Sequence, residues 1–205
     1  MRFEYYEKMK LLARESRVEH GIEGPRVLRS DMKRIFKEEG IHLDYWAGPL
    51  KRIRGAYFND EDGPTIMIRK DLPPDPCVFT MAHELKHHLA DKDSGLVACE
   101  STPATEMIEI GAEIFAAEFL FPEECFKQEM ARMGVGFMQC TAELLVQVKH
   151  NTKTSLSYSG LCKLAVWLQF AADGSLPKAG WKKLEEQIFG VPFYRRGRTT
   201  GQRVY

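Results

Sequence analysis

The sequence contains one short motif whose residue types and spacing are typical of metal binding. It is His83-Glu84-Leu85-Lys86-His87, an H-E-x-x-H pattern. Four residues along an α-helix turn the chain by about 400°, so the two imidazoles project from one face on consecutive turns. Two such imidazoles can bind a single zinc ion, while Glu84 stands beside it as a base toward water. The motif therefore predicts a zinc site with His83 and His87 as ligands and Glu84 as the catalytic residue.

A hydrolytic zinc site needs a third protein ligand, and Glu109 is the first candidate. Glu109 and Glu113 lie one turn apart on the next predicted helix, which is otherwise largely apolar. Two glutamates on one face of such a helix need a cationic or hydrogen-bonding partner. We therefore predict that Glu109 binds the metal and that Glu113 accepts the second ring N–H of a histidine ligand.

Asp93 is the second candidate for the third ligand. Residues 83–93 read H-E-x-x-H-x-x-A-x-x-D, which is similar to the extended motif of metzincins. Ala90 stands where metzincins have glycine, so the chain has less freedom to turn back toward the metal. Both candidates stay open on the residues alone.

The elements that must position these residues form an α+β fold. The motif lies on a helix predicted over 76–91, and Glu109 lies on a second helix that begins at Pro103 and ends before Pro122. Two helices, 3–19 and about 31–39, precede three strands of alternating apolar and polar residues, 41–46, 53–58 and 65–69. We predict a small antiparallel sheet packed on helices, carrying a zincin-like site.

The chain after Pro122 shows only helical patterns. The predicted helices are 123–132, 141–150, 157–172 and 181–189. We therefore predict a metallopeptidase domain over 1–122, a helical C-terminal region over 123–190, and a basic, mobile tail over 191–205. The helix pair within 141–172 is superficially similar to a DNA-reading pair, but Lys163 is its one basic residue after Ser155, so DNA binding is not expected.

Composition narrows the class of protein further. The chain has 205 residues, with 29 basic and 29 acidic side chains and no formal net charge. This balance argues against a protein that mainly binds phosphates. No apolar run approaches the roughly 18–20 residues of a membrane span, so we expect a cytoplasmic protein without membrane contact. The five cysteines are widely spaced and lack a C-x-x-C pair, which predicts buried thiols in a reducing compartment.

Two blocks of sequence together resemble the ImmA/IrrE family of metallopeptidases. The first is FTMAHELKH over 79–87, and the second is EIGAEIFAAEFLFP over 109–122. The resemblance implies zinc ligands at His83, His87 and Glu109, with Glu84 as the catalytic glutamate. Glu113 occupies a position where the family commonly has Asn, and Lys86 stands where it often has Gly.

The resemblance also implies a role in regulation. Members of this family are cytoplasmic regulators that cleave helix-turn-helix transcriptional repressors and are often carried by mobile elements. We therefore expect site-specific cleavage of such a repressor. An alternative is a zinc-containing antitoxin or partner-binding scaffold without peptidase turnover, or a DNA-binding regulator that uses the C-terminal helices. The oligomeric state is not predicted.

Two further features bear on substrate binding. If the strand over 65–69 lies at a sheet edge, its free backbone groups could pair with an extended substrate segment. Tyr57, His150 and Tyr158 are chemically able to stabilise an oxyanion, although each is also a common packing or surface residue.

Overall fold

The computed structural model describes residues 2–47, 53–92 and 103–190. It confirms an α+β fold with a helical C-terminal part. The chain forms two compact units, Met1–Pro122 and Glu123–Tyr205. The elements of the first unit are α1 (Arg2–Glu19), α2 (Arg29–Glu38), β1 (His42–Trp46), β2 (Gly55–Asp60), β3 (Gly63–Arg69), α3 (Pro74–Asp91) and α4 (Pro103–Leu120). The second unit contains α5 (Glu123–Arg132), α6 (Ala142–Thr152), α7 (Tyr158–Trp167) and α8 (Trp181–Phe189).

The sheet is mixed, so the prediction of an antiparallel sheet is wrong for one of its two strand pairs. The strand order is β1-β3-β2. β2 and β3 pair antiparallel as a hairpin, whereas β1 pairs with β3 in parallel, from His42 opposite Thr65 to Trp46 opposite Arg69. The chain reverses direction twice between β1 and β3, which makes them parallel once they are neighbours. They are neighbours because β3, with the fully buried Ile66 and Ile68, takes the central position.

This strand order means that residues 65–69 do not form a sheet edge, so the condition for substrate pairing along this strand is not met. β3 is paired on both sides, so its backbone groups are already used. Among the strands that the structure describes, the edges are β1 and β2. β2 is the edge that packs beside α3, the helix that carries the H-E-x-x-H motif.

α3 begins within the proline pair Pro73-Pro74 and is anchored by apolar side chains. Pro73 is the N-cap and Pro74 takes the first helical position, so α3 begins two residues before the predicted start at residue 76. The helical spacing predicts one buried stripe, and Val78, Ala82 and Leu85 are buried on it whereas Leu89 is only partly buried. Met81 is also buried. Burial of each large side chain is worth about 1.5–3 kcal/mol, so this stripe holds α3 firmly against its neighbours.

α4 packs against both α1 and α3 and completes the core of the first unit. Phe115 and Phe119, one turn apart, stack with ring centroids 5.6 Å apart and are fully buried. Because these rings face inward, the Glu109 and Glu113 side chains of α4 remain exposed. The same packing therefore fixes which part of α4 faces the motif helix.

In the second unit, helix boundaries are set by local hydrogen bonds. Thr141 caps α6 by accepting a hydrogen bond from the Leu144 N–H. α7 ends at Trp167 rather than at residue 172, because Gln169 adopts a left-handed φ of 61° and the Phe170 N–H bonds to the carbonyl of Ala165. The helical periodicity of the sequence continues past this point, so it gave no sign of the turn.

Two other predictions can be compared with the described residues. Cys77 and Cys140 are buried as predicted, whereas Cys125 and Cys162 are only partly buried. Burial raises the pKa of the Cys140 thiol to about 12. No helix in the described part of the chain is both long enough and apolar enough to cross a membrane. Cys99, Asp93 and the basic tail over 191–205 lie outside the described residues.

Candidate active site

The structure brings His83, His87 and Glu109 together, as three possible ligands of one metal ion. One donor atom from each residue lies within 4.8 Å of the others. His83 Nε2 is 3.1 Å from one carboxylate oxygen of Glu109, and His87 Nε2 is 3.5 Å from the other. Helix geometry alone places the two imidazoles, with ring centroids 5.1 Å apart. The packing of α4 on α3 supplies the carboxylate.

A carboxylate that the sequence analysis missed orients His87. Nδ1 of His87 lies 2.8 Å from Oδ2 of Asp91, so the imidazole can donate its Nδ1–H to this carboxylate. That hydrogen bond turns Nε2 of His87 toward Glu109. We predicted this kind of contact for Glu113, which lies on α4 as an exposed residue whose charge acts on His83. The signal for Asp91 was available, because it lies four residues after His87 on the same helix face.

Lys86 completes a buried network behind His87. Its side chain is fully buried, and its ammonium group donates to Asp91 Oδ2 at 2.6 Å and to the carbonyl of Ile108 at 3.0 Å. Burial raises the pKa of the Asp91 carboxyl, but the hydrogen bonds from His87 and Lys86 outweigh it and lower that pKa. Asp91 is therefore held as an anion, and the Ile108 contact ties α4 to α3 beside Glu109.

Glu84 is buried next to the two histidines, where a base is required. Its exposed fraction is 6%. Burial raises the pKa of the Glu84 carboxyl, and the charges of His83 and His87 oppose that effect. A carboxyl with a raised pKa is a stronger base toward water than an ordinary glutamate, which suits proton transfer.

Gly55, at the start of β2, allows the sheet to approach Glu84 closely. A Cβ atom at this position would lie 2.5 Å from Glu84 Oε1 and 2.4 Å from Thr80 Cγ2. No side chain fits at such distances, so the close approach requires glycine. The edge strand β2 therefore runs directly past the candidate base.

The electrostatics of the cluster favour a cation. Burial lowers the pKa of His83, but the hydrogen bond to Glu109 and the charges of Glu84, Glu109 and Glu113 outweigh it, so the pKa is raised. The hydrogen bond from His83 in turn lowers the pKa of Glu109. The same arrangement of two imidazoles and a carboxylate matches a common catalytic zinc donor set. The three side chains fit zinc, with Asp91 as the partner that fixes the orientation of His87.

The other candidates from the sequence make contacts with residues outside the three-ligand cluster. Tyr57 contacts His88, with 3.2 Å between its hydroxyl and Nδ1. His150 and Tyr158 belong to the second unit. The His150 ring stacks on Phe189, and the Tyr158 hydroxyl donates to Glu185.

Comparison with known proteins supplies the family. The family model Peptidase_M78, described as the IrrE N-terminal-like domain, matches residues 36–140, just over half of the chain. The matched segment contains the motif helix, Glu109 and Asp91. A search among curated proteins finds no match. With this extent of agreement, and in line with the resemblance carried by its two sequence blocks, the chain belongs to the Peptidase_M78 family of IrrE-type peptidases.

Proposed function

We propose that this protein is a zinc-dependent endopeptidase that cleaves a helix-turn-helix transcriptional repressor. The observation that carries the zinc-peptidase assignment is the convergence of His83, His87 and Glu109 beside the buried Glu84. The family match supports peptidase chemistry. The choice of a repressor as substrate rests on the resemblance to ImmA/IrrE proteins.

The residues of the site have different roles in peptide hydrolysis. A zinc ion held by His83, His87 and Glu109 would polarise a peptide carbonyl and activate water for attack on it. Glu84 takes the proton from the attacking water and delivers it to the amine that leaves as the C–N bond breaks. Asp91 and Lys86 keep His87 in one orientation and one tautomer throughout.

The edge strand β2 provides a surface for an extended substrate segment. Within the described residues no strand pairs with its outer edge, and its first residue, Gly55, touches Glu84. Backbone pairing along such an edge holds a peptide extended. A peptide bound there would pass beside the base.

The test compares Glu84→Gln with the wild-type chain. Each is produced together with a helix-turn-helix repressor encoded beside it, and repressor fragments are identified by mass spectrometry. We expect the substitution to keep the zinc content and to reduce cleavage by about 10²–10⁴-fold, because Gln cannot accept the proton. Glu106→Gln, an exposed residue of α4, is the matched control and should cleave normally.

Two results would contradict the proposal. Equal cleavage by the Glu84→Gln and wild-type proteins would show that Glu84 does not act as the base in the reaction. Loss of repressor function without any fragment, to the same extent in both proteins, would instead indicate a binding scaffold that acts without turnover.

A further inference from the structure

A second group of metal-binding side chains lies outside the candidate active site. Glu19 ends α1, His20 follows it, and Glu39 follows the last residue of α2. One donor atom from each of the three lies within 4.8 Å of the others. The ends of two helices that are separated in sequence therefore bring one imidazole and two carboxylates together.

The buried imidazole of His20 has one nitrogen that lacks a hydrogen bond. The residue is only 6% exposed, and its Nδ1 lies 2.8 Å from Glu38 Oε2, to which it can donate a proton. Its Nε2 is buried and makes no hydrogen bond, although Glu39 Oε1 is 3.1 Å away. The two atoms are therefore close together, but they are not oriented as the donor and acceptor of a hydrogen bond.

This geometry favours a cation between His20 and Glu39. When Nδ1 carries the proton, Nε2 presents a lone pair toward a carboxylate oxygen, and the two repel each other unless a positive charge intervenes. Two donors bound to one tetrahedral zinc at about 2.0–2.1 Å lie about 3.3 Å apart. The observed 3.1 Å is close to that separation.

The arrangement repeats that of His87 in the candidate active site. There, Nδ1 faces Asp91 at 2.8 Å while Nε2 faces Glu109 at 3.5 Å. A carboxylate that orients the ring and a second carboxylate beside the opposite nitrogen are the usual surroundings of a histidine ligand. His20 has both, in Glu38 and Glu39.

The charges of the neighbouring residues are compatible with a bound divalent ion. Arg34 forms an ion pair with Glu38 at 2.8 Å and donates to the carbonyl of His20 at 2.8 Å. Glu38 is thereby neutralised by Arg34, which leaves the negative charges of Glu19 and Glu39 for the ion. The remaining donor set, one imidazole nitrogen and two carboxylate oxygens, suits first-row transition metals.

We propose that Glu19, His20 and Glu39 form a second metal site, which binds a divalent first-row transition metal ion such as Zn²⁺. The ion joins the C-terminal ends of α1 and α2. Glu39 Oε2 also lies 3.7 Å from Nε2 of His88, which is the residue after His87 on α3. The second site thus adjoins the helix of the first without sharing a ligand with it.

The experiment counts zinc ions per full-length chain. Protein stripped with a chelator is dialysed against micromolar Zn²⁺, and bound metal is measured by mass spectrometry. We expect two ions in the wild type and one in the double variant His83→Ala/His87→Ala. Adding Glu39→Gln to that double variant should remove the remaining ion, whereas adding Glu15→Gln, an exposed carboxylate one turn before Glu19, should not.

A second measurement, of melting temperature, tests the proposal even if one of these variants folds poorly. Zn²⁺ should raise the melting temperature of the double variant, and Glu19→Gln in that background should reduce this rise with little change in the metal-free protein. If the double variant binds no zinc, or binds it equally with and without Glu39→Gln, the second site does not exist. A wild type that holds one ion, lost with Glu39→Gln but not with His83→Ala/His87→Ala, would contradict the proposed peptidase site instead.

Discussion

The buried lysines Lys86 and Lys149, which lie in different compact units, have different kinds of partner. Lys86 in α3 donates to the carboxylate of Asp91 and to the carbonyl of Ile108. Lys149 in α6 donates to the carbonyls of Thr154 at 2.9 Å and Leu156 at 2.8 Å. One ammonium group therefore holds an anion beside the candidate metal ligands, while the other fixes the chain that leaves a helix.

The difference shows how a buried charge can serve either chemistry or architecture. Lys86 keeps Asp91 ionised, and Asp91 orients His87, so the electrostatics of the site depend on a residue that is not itself a candidate ligand. Lys149 satisfies backbone carbonyls that would otherwise be buried without partners. Substitutions at the two positions should consequently change different measured quantities.

The largest effect is expected for Lys86→Met. The change leaves Asp91 without its ammonium partner, and breaking a buried ion pair typically costs about 3–5 kcal/mol. It also weakens the orientation of His87, so zinc affinity should fall about 10–100-fold. Chemical unfolding and competition with a zinc chelator measure the two effects. Lys8→Met, at an exposed position of α1, is the control, and equal zinc affinity in the two variants would mean that Lys86 has only a structural role.

A narrower effect, on stability alone, is expected for Lys149→Met. The carbonyls of Thr154 and Leu156 lose their donor, at a cost of about 1–3 kcal/mol for each buried group left unsatisfied. Zinc affinity should stay within twofold of the wild type, as should that of Lys127→Met, an exposed control in α5. A drop in zinc affinity comparable with that of Lys86→Met would break the distinction between the two lysines.

The smallest effect is expected at the end of the same helix. Lys153 follows α6 with a left-handed φ of 52°, and its N–H bonds to the carbonyl of Lys149. Glycine adopts this conformation without the steric cost of a Cβ atom, so Lys153→Gly should raise the free energy of unfolding by about 1 kcal/mol. Lys127→Gly, inside α5, should lower it by about the same amount. A loss of stability in Lys153→Gly would show that the lysine side chain contributes more than its backbone conformation costs.

Much of the fold was predictable because it is encoded locally. The bounds of α5 agree with the prediction, and α3 and α4 differ from it by two residues at most, since proline and apolar spacing mark them. The β2–β3 hairpin follows from the turn between its strands. The pairing of β1 with β3 was not predictable, because strand order depends on which strand is most buried rather than on neighbouring residues.

For the candidate site, the sequence by itself determined that His83 and His87 share one helix face with Glu84 beside them. It also indicated that Glu109, on a largely apolar helix, requires a cationic or hydrogen-bonding partner. Helix geometry and the cost of burying charge are enough for both inferences. Only the tertiary structure decided that Glu109 faces the imidazoles, that Asp91 and Lys86 stand behind His87, and that Glu39 meets His20. Such contacts join residues whose distance depends on how helices pack, and no local pattern fixes that packing.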